Sequence, residues 1–255
     1  MENAYIPFSC EIINIIAQTD LEFTFRMVYG GKVKPGQFFE VSIPKYGEAP
    51  ISVCGIGSDT VDLTIRKAGR VTSEIFTYRK GDKLFMRGPY GNGFDLNNYR
   101  NKELIIAAGG TGVAPVKGVI DYFAANLNEV KKLTVIAGFK DKESILFKED
   151  IENWRQRFNL ILTTDAEGFV DKYIPDVIID NIKDVQVITV GPQVMIDACA
   201  KAFLQRGVPA GCIWVSHERK MCCGIGKCGH CRINDVYICL DGPVFNYEKA
   251  AGMAD

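Results

Sequence analysis

Glu103-Leu104-Ile105-Ile106-Ala107-Ala108-Gly109-Gly110-Thr111-Gly112-Val113-Ala114-Pro115 is the stretch on which the fold turns. Glu103 to Ala108 is of strand length and, after its first residue, continuously apolar, the pattern of a strand buried on both faces. It passes through glycines into a helical pattern ending near Ala125, and Pro115 suits a first helical turn, where its missing N–H is no loss. Glycines at a strand-to-helix turn let the backbone approach a diphosphate, and the helix N-terminus adds partial positive charge. The loop is not a full G-x-G-x-x-G, so taken alone it also fits a plain tight turn.

Towards the C-terminus the alternation repeats. Leu133 to Phe139 precedes a helical stretch from Phe147 to Phe158; Asn159 to Thr164 follows, and Val185 to Val190 leads into Gln193 to Arg206. Apolar strands alternating with helices predict a doubly wound, Rossmann-like parallel sheet over 99–215. Ligands of such sheets lie across the carboxyl ends of the strands. The candidate nucleotide-binding residues are therefore Gly109, Gly110, Thr111, Gly112, Ala114 and Pro115, with Thr164 and Asp165, and Gly191 and Pro192. Asp165 and Glu167 offer no evident seat for a 2′-phosphate, which favours NADH over NADPH.

Towards the N-terminus the period changes to short β-rich segments: Cys10 to Ile16, Phe23 to Met27, Gln37 to Ile43, Ile51 to Cys54, Thr60 to Arg66 and Lys83 to Gly88. Glycine and proline punctuate them, as in a small antiparallel barrel over 1–98. The predicted class is α/β plus β, with a third segment, 216–255, that shows neither period.

Composition narrows the function. The 255 residues suffice for two domains with their own cores, and 31 acidic residues offset 30 basic ones, so a polyanion-binding surface is not expected and nucleic acid is excluded as a partner. No apolar run reaches the ~20 residues that span a bilayer, and Met1 to Cys10 lacks the pattern of a signal peptide, so a cytoplasmic chain without membrane association is expected. His217 and His230 are the only histidines, which leaves a histidine-dependent hydrolytic site little support.

Five of the nine cysteines crowd into Cys222 to Cys239. Counted from Cys223, they read C-x4-C-x2-C with a fourth cysteine eight residues on, the plant-type [2Fe–2S] spacing, so Cys223, Cys228, Cys231 and Cys239 are the candidate ligands. A compact two-iron core needs a tightly curled loop, and Gly224, Gly226 and Gly229 allow that curl. Cys222 adjoins Cys223 and could replace it, although the four-residue gap favours Cys223. Zinc sites usually present two separated cysteine pairs, unlike this asymmetric loop.

Together these stretches resemble a known family: Pro50-Ile51-Ser52, Thr64-Ile65-Arg66, Val71-Thr72-Ser73, Gly88 to Phe94, Gly109 to Pro115, Gly191-Pro192 and the cysteine loop ending in Asp241-Gly242-Pro243. The chain resembles the ferredoxin–NADP reductase superfamily, and within it electron-transfer subunits with a C-terminal [2Fe–2S] domain. Residues 88–94 and 216–231 together look like the electron-transfer subunit of anaerobic sulfite reductases; dihydroorotate dehydrogenase electron-transfer subunits and sulfhydrogenase gamma subunits look like siblings. The resemblance implies a flavin, FAD rather than FMN, with Pro50, Ile51 and Ser52 along it, Thr64, Ile65 and Arg66 at its edge, and Val71, Thr72 and Ser73 at its phosphates. Ala49 stands where the family usually has Arg, which implies either weaker flavin binding or that Arg66 or Lys67 takes over that charge.

The implied function is an electron-transfer subunit that oxidises NADH at the flavin and passes single electrons through the cluster to a partner subunit. Sulfite reduction to sulfide, with ferredoxin-like and sirohaem subunits as partners, is the implied end point. A dihydroorotate dehydrogenase or hydrogenase partner, or a redox sensor that binds without turnover, are the alternatives.

Overall fold

The structure, a computed structural model, describes residues 4–253. They form two compact units, one running to Phe94 and including Glu218–Pro243, the other comprising Asp95–His217 and the residues from Val244 on. The tail, predicted as one segment, is thus divided between the two.

In the first unit, β1 (Phe8–Ala17), β2 (Glu22–Val28), β3 (Phe38–Ile43), β4 (Gly47–Ile56), β5 (Thr60–Arg66) and β6 (Lys83–Tyr90) close a barrel in the order β1-β2-β5-β4-β3-β6. Every neighbouring pair is antiparallel. Alternation dictates which side chains fill it: Phe39, Val41 and Ile43, Ile51 and Val53, Val61, Leu63 and Ile65, and Leu84 and Met86 all turn inward. Burying each such side chain contributes about 1.5–3 kcal/mol, so the apolar rows drive closure. Ile75 of the short helix α1 (Arg70–Ile75) packs onto the same core. The predicted strand Ile51 to Cys54 is longer in the structure, because Gly47–Pro50 already pairs with β3.

In the second unit β7 (Glu103–Gly109), β8 (Lys132–Phe139), β9 (Asn159–Thr164), β10 (Val185–Val190) and β11 (Ile213–Ser216) form a parallel sheet. The predicted helices are α2 (Val113–Ala125), α3 (Lys148–Arg155) and α4 (Gln193–Gln205). β7 is buried along its whole length. Glu103 can begin it because its carboxylate accepts the main-chain N–H groups of Asp180 at 3.0 Å and Asn181 at 2.7 Å. Among the described residues no helix is long and apolar enough to cross a membrane.

The tail carries a small hairpin of β12 (Arg232–Ile233) and β13 (Val236–Tyr237) and a helical turn, α5 (Ile238–Asp241), all in the barrel unit. β14 (Val244–Asn246) then adds an antiparallel edge to β11, giving the order β14-β11-β10-β7-β8-β9, and α6 (Tyr247–Ala250) ends the sheet unit.

Candidate functional site

The cysteine loop curls where glycine permits. Gly224 and Gly226 adopt φ of 73° and 69°, and a Cβ on either would come within 2.5 Å of the Tyr90 ring and 2.7 Å of Leu240. The curl turns main-chain donors onto sulfur: Lys227 N–H donates to Cys223 Sγ at 3.3 Å and Gly226 N–H to Cys239 Sγ at 3.2 Å. The four candidate thiols fall into two hydrogen-bonded pairs, Cys223 with Cys228 and Cys231 with Cys239. Among the described residues no three His, Cys, Asp or Glu side chains converge on one point as a single metal ion would need. Two pairs are instead the disposition that suits two irons sharing a compact core, so the donor set fits a [2Fe–2S] cluster better than zinc.

The thiols differ in acidity, and the difference bears on the choice between the neighbours Cys222 and Cys223. Burial raises Cys223, but the N–H groups of Ile225, Lys227 and Cys228 outweigh it and hold the thiol below its ordinary value. The His230 N–H lowers Cys228. Cys222 is raised, first by burial and then by the charge of Cys228, so its thiol resists ionisation where its neighbour's favours it. Burial and the Cys231 thiol push Cys239 up to about 12.

Arg87, on β6, ties this loop to the barrel wall. Arg87 is 5% exposed, and its guanidinium donates to the carbonyls of Cys223 at 2.7 Å and Cys222 at 2.9 Å. Glu48 holds it from the opposite side in a bidentate pair at 2.8 and 2.5 Å. The Arg87 side chain holds Glu48 below the usual carboxylate range. Nothing local in the sequence around Arg87 signals its contact with Cys223, which spans 136 positions.

The residues predicted along the flavin lie on the same barrel but do not all face outward. Ile51 and Ile65 point into the core, so only their main chain is open to a ligand. Pro50 and Arg66 are exposed and Ser52 and Thr64 half-buried on the outer wall. There Thr64 Oγ1 lies 2.8 Å from Thr24 Oγ1 and 3.1 Å from Cys54 Sγ. Val71, Thr72 and Ser73 occupy the opening of α1, with Thr72 Oγ1 accepting from Gly69 N–H at 2.9 Å. Arg66 pairs with Glu22, and Lys67 lies 6.0 Å from the Phe76 ring centroid. Arg70, which sequence reasoning passed over, sits by the β3–β4 turn, donating to Tyr46 O at 2.7 Å, and lines a cavity of about 690 Å³ with Lys45 and Glu48.

In the sheet unit, a cavity of about 290 Å³ opens at the carboxyl ends of β7 to β10. Gly109, Gly110, Thr164, Asp165 and Pro192 line it; Thr111, Gly112, Ala114, Pro115 and Gly191 do not. Ala114 and Pro115 are buried in α2. Gly112 is a packing residue: a Cβ there would meet Val190 O at 2.7 Å. Gly110 differs, with φ of 55° and no atom within 4 Å of where its Cβ would stand. Sequence reasoning missed Gly138, Phe139 and Lys140, which also line the cavity from the end of β8. The glycine closing that strand was the available signal. Glu167 is engaged within its own turn, accepting Thr164 N–H at 3.0 Å, which leaves Asp165 as the carboxylate at the cavity.

Comparison with known proteins agrees with this layout. Residues 106–201 match the oxidoreductase NAD-binding domain, and 218–250 match the iron-sulfur cluster binding domain of dihydroorotate dehydrogenase B. The chain is 33% identical to the sulfhydrogenase 2 gamma subunit of Pyrococcus furiosus, covering 97% of each sequence. It is also 33% identical to the probable dihydroorotate dehydrogenase B (NAD(+)) electron transfer subunit of that organism, over 88% of this chain and 84% of the relative. A solved structure of an NADH-dependent reduced ferredoxin-NADP oxidoreductase, described in work on flavin-based electron bifurcation, superposes with a TM-score of 0.78 at 24% identity, covering 97% of this chain and 90% of that one.

Proposed function

From a chain that belongs to the ferredoxin–NADP reductase superfamily, among electron-transfer subunits with a C-terminal iron–sulfur domain, we propose a protein that oxidises NADH and delivers single electrons to a partner subunit. FAD and a [2Fe–2S] cluster are its cofactors. The observation that carries the reading is the pair-wise set of cysteine thiols in a loop whose Cys222 and Cys223 carbonyls Arg87 holds to the barrel wall. Nicotinamide yields two electrons as a hydride and a cluster takes one, so a flavin supplies the exchange between them.

The polypeptide positions and tunes rather than donating protons. Gly109 and Gly110 bring main chain to the cavity where the dinucleotide would lie, and Cys223, Cys228, Cys231 and Cys239 would hold the cluster. Pro50, Ser52, Thr64 and Arg66 would border the flavin with their side chains, Ile51 and Ile65 with main chain, and Val71, Thr72 and Ser73 would meet its phosphates. Asp165 at the nucleotide cavity supports NADH as the co-substrate, since its carboxylate would repel a 2′-phosphate. Asp165→Ser should narrow the preference for NADH over NADPH roughly tenfold or more, measured as the ratio of kcat/KM values. An unchanged ratio would place nucleotide selection elsewhere.

For the terminal step, the resemblance of 88–94 and 216–231 to the electron-transfer subunit of anaerobic sulfite reductases supports sulfite, reached through ferredoxin-like and sirohaem-bearing partners. The full-length identity to a sulfhydrogenase gamma subunit supports a second reading, in which a hydrogenase partner stands at the other end. The purified chain should be yellow-brown, contain iron and acid-labile sulfide, and reduce an artificial dye with NADH. It should form no sulfide from NADH and sulfite by itself; sulfide from the isolated chain would rule out the subunit model.

A further inference from the structure

Glu40 is fully buried, and among the described residues neither of its carboxylate oxygens has a hydrogen-bond partner. Such a group is unfavourable unless an opposite charge is near or it has a task. Its position follows from the pleat. Phe39, Val41 and Ile43 fill the barrel, so Glu40 on the same strand faces outward, and an outward residue is buried only beneath a cover.

In register, Glu40 lies between Pro50 on β4 and Arg87 on β6. Arg87 at that level holds the carbonyls of Cys222 and Cys223, and the charge of Cys223 reaches Glu40. Arg87 also donates to Tyr90 Oη at 3.1 Å and gives its bidentate pair to Glu48. Its charge is therefore matched once, by Glu48, and the Glu40 carboxylate remains in excess. Burial pushes Glu40 up to about 7, with Arg87 pulling it down and Glu48 and Cys223 pushing it up.

We propose that Arg87 and Glu40 set the reduction potential of the cluster from opposite directions. Arg87, fixed to the main chain of the ligand loop, favours the reduced form, and Glu40 beside it favours the oxidised form. The inference rests on the cluster reading above. Reduction adds one electron and makes or breaks no bond, so its free energy follows the charges nearby. Those charges act strongly because they are buried, where the effective dielectric is low.

The test uses the full chain loaded with its cofactors, titrated with dithionite and mediator dyes at about pH 9, where Glu40 is ionised. The electron paramagnetic resonance signal of the reduced cluster gives the midpoint. Glu40→Gln should raise the midpoint and Arg87→Gln should lower it, each by a tenfold change in the reduction equilibrium or more, about 59 mV for one electron. Arg87→Lys keeps the charge and should stay nearer the unaltered value than Arg87→Gln. Should Arg87→Gln fail to retain iron, Glu40→Gln decides, because glutamine has nearly the same shape. An unmoved midpoint in Glu40→Gln, or shifts of the same sign in the two variants, would overturn the proposal. Absence of iron and labile sulfide from the unaltered chain would overturn the cluster reading and this inference together.

Discussion

Cys228→Ser is expected to strip the chain of iron and acid-labile sulfide, whereas Cys222→Ser is expected to leave both as in the unaltered protein. The two thiols lie six positions apart and are both exposed, so accessibility does not separate them. What separates them is main-chain donation. Cys228 receives the His230 N–H and hydrogen bonds with Cys223, both of which stabilise its thiolate, while Cys222 gains no such lowering from the backbone and is raised by burial. A cluster binds thiolates, so between the neighbours Cys222 and Cys223 the main chain favours Cys223; Cys239 is raised as well, and its assignment rests on the spacing and its pairing with Cys231. The measurement is iron and sulfide per chain beside the visible spectrum. Equal loss of iron from both variants would show that the ligand had been assigned to the wrong member of the Cys222–Cys223 pair or that both are needed.

Gly110→Leu is expected to lower NADH oxidation by on the order of a hundredfold while the flavin stays bound. The side chain would enter the cavity at the end of β7, since no protein atom stands within 4 Å of the Cβ position. The φ of 55° adds strain for leucine of roughly 1–2 kcal/mol, so Gly110→Asn, which tolerates that conformation, is the control. Asparagine should also impair the reaction, because it too fills the space. Gly112 is the wrong residue for this test: there a Cβ strikes the main chain of Val190 and Gly191 and would disturb the fold itself. Flavin content by absorbance and NADH binding by fluorescence separate the outcomes. Loss of flavin with nucleotide binding intact would reverse the division of labour between the two units.

Much of this was legible because the signals are local. The run Glu103 to Ala108 is apolar at every position but its first, and it is buried throughout in the sheet. The barrel strands appear in the sequence as alternation because each side of a pleat sees one environment. The interval of four and then two residues in the cysteine loop is legible for the same reason, since a compact cluster and its curled loop lie within one short segment. The inward turn of Ile51 and Ile65 shows the limit of such signals: a family resemblance marks positions along a strand, while the pleat decides which of them face the core.

What the chain's own pattern determined is therefore the class of each unit, strand ends that line the cavity at the carboxyl edge of the sheet, and the spacing of the cysteines. Only the tertiary structure decided that Arg87 clamps Cys222 and Cys223, that Glu40 is buried beside it, that Gly138 to Lys140 join the cavity at the carboxyl ends of the strands, and that Val244–Asn246 returns to the sheet edge. Arg87 looks like an ordinary outward residue of a barrel strand, and Glu40 like a solvent-facing one, until another segment covers them. Three residues of β14 are too few to show a period. Contacts between positions more than a hundred apart leave no spacing to read, because their partners are brought together by burial of other residues rather than by anything in their own neighbourhood.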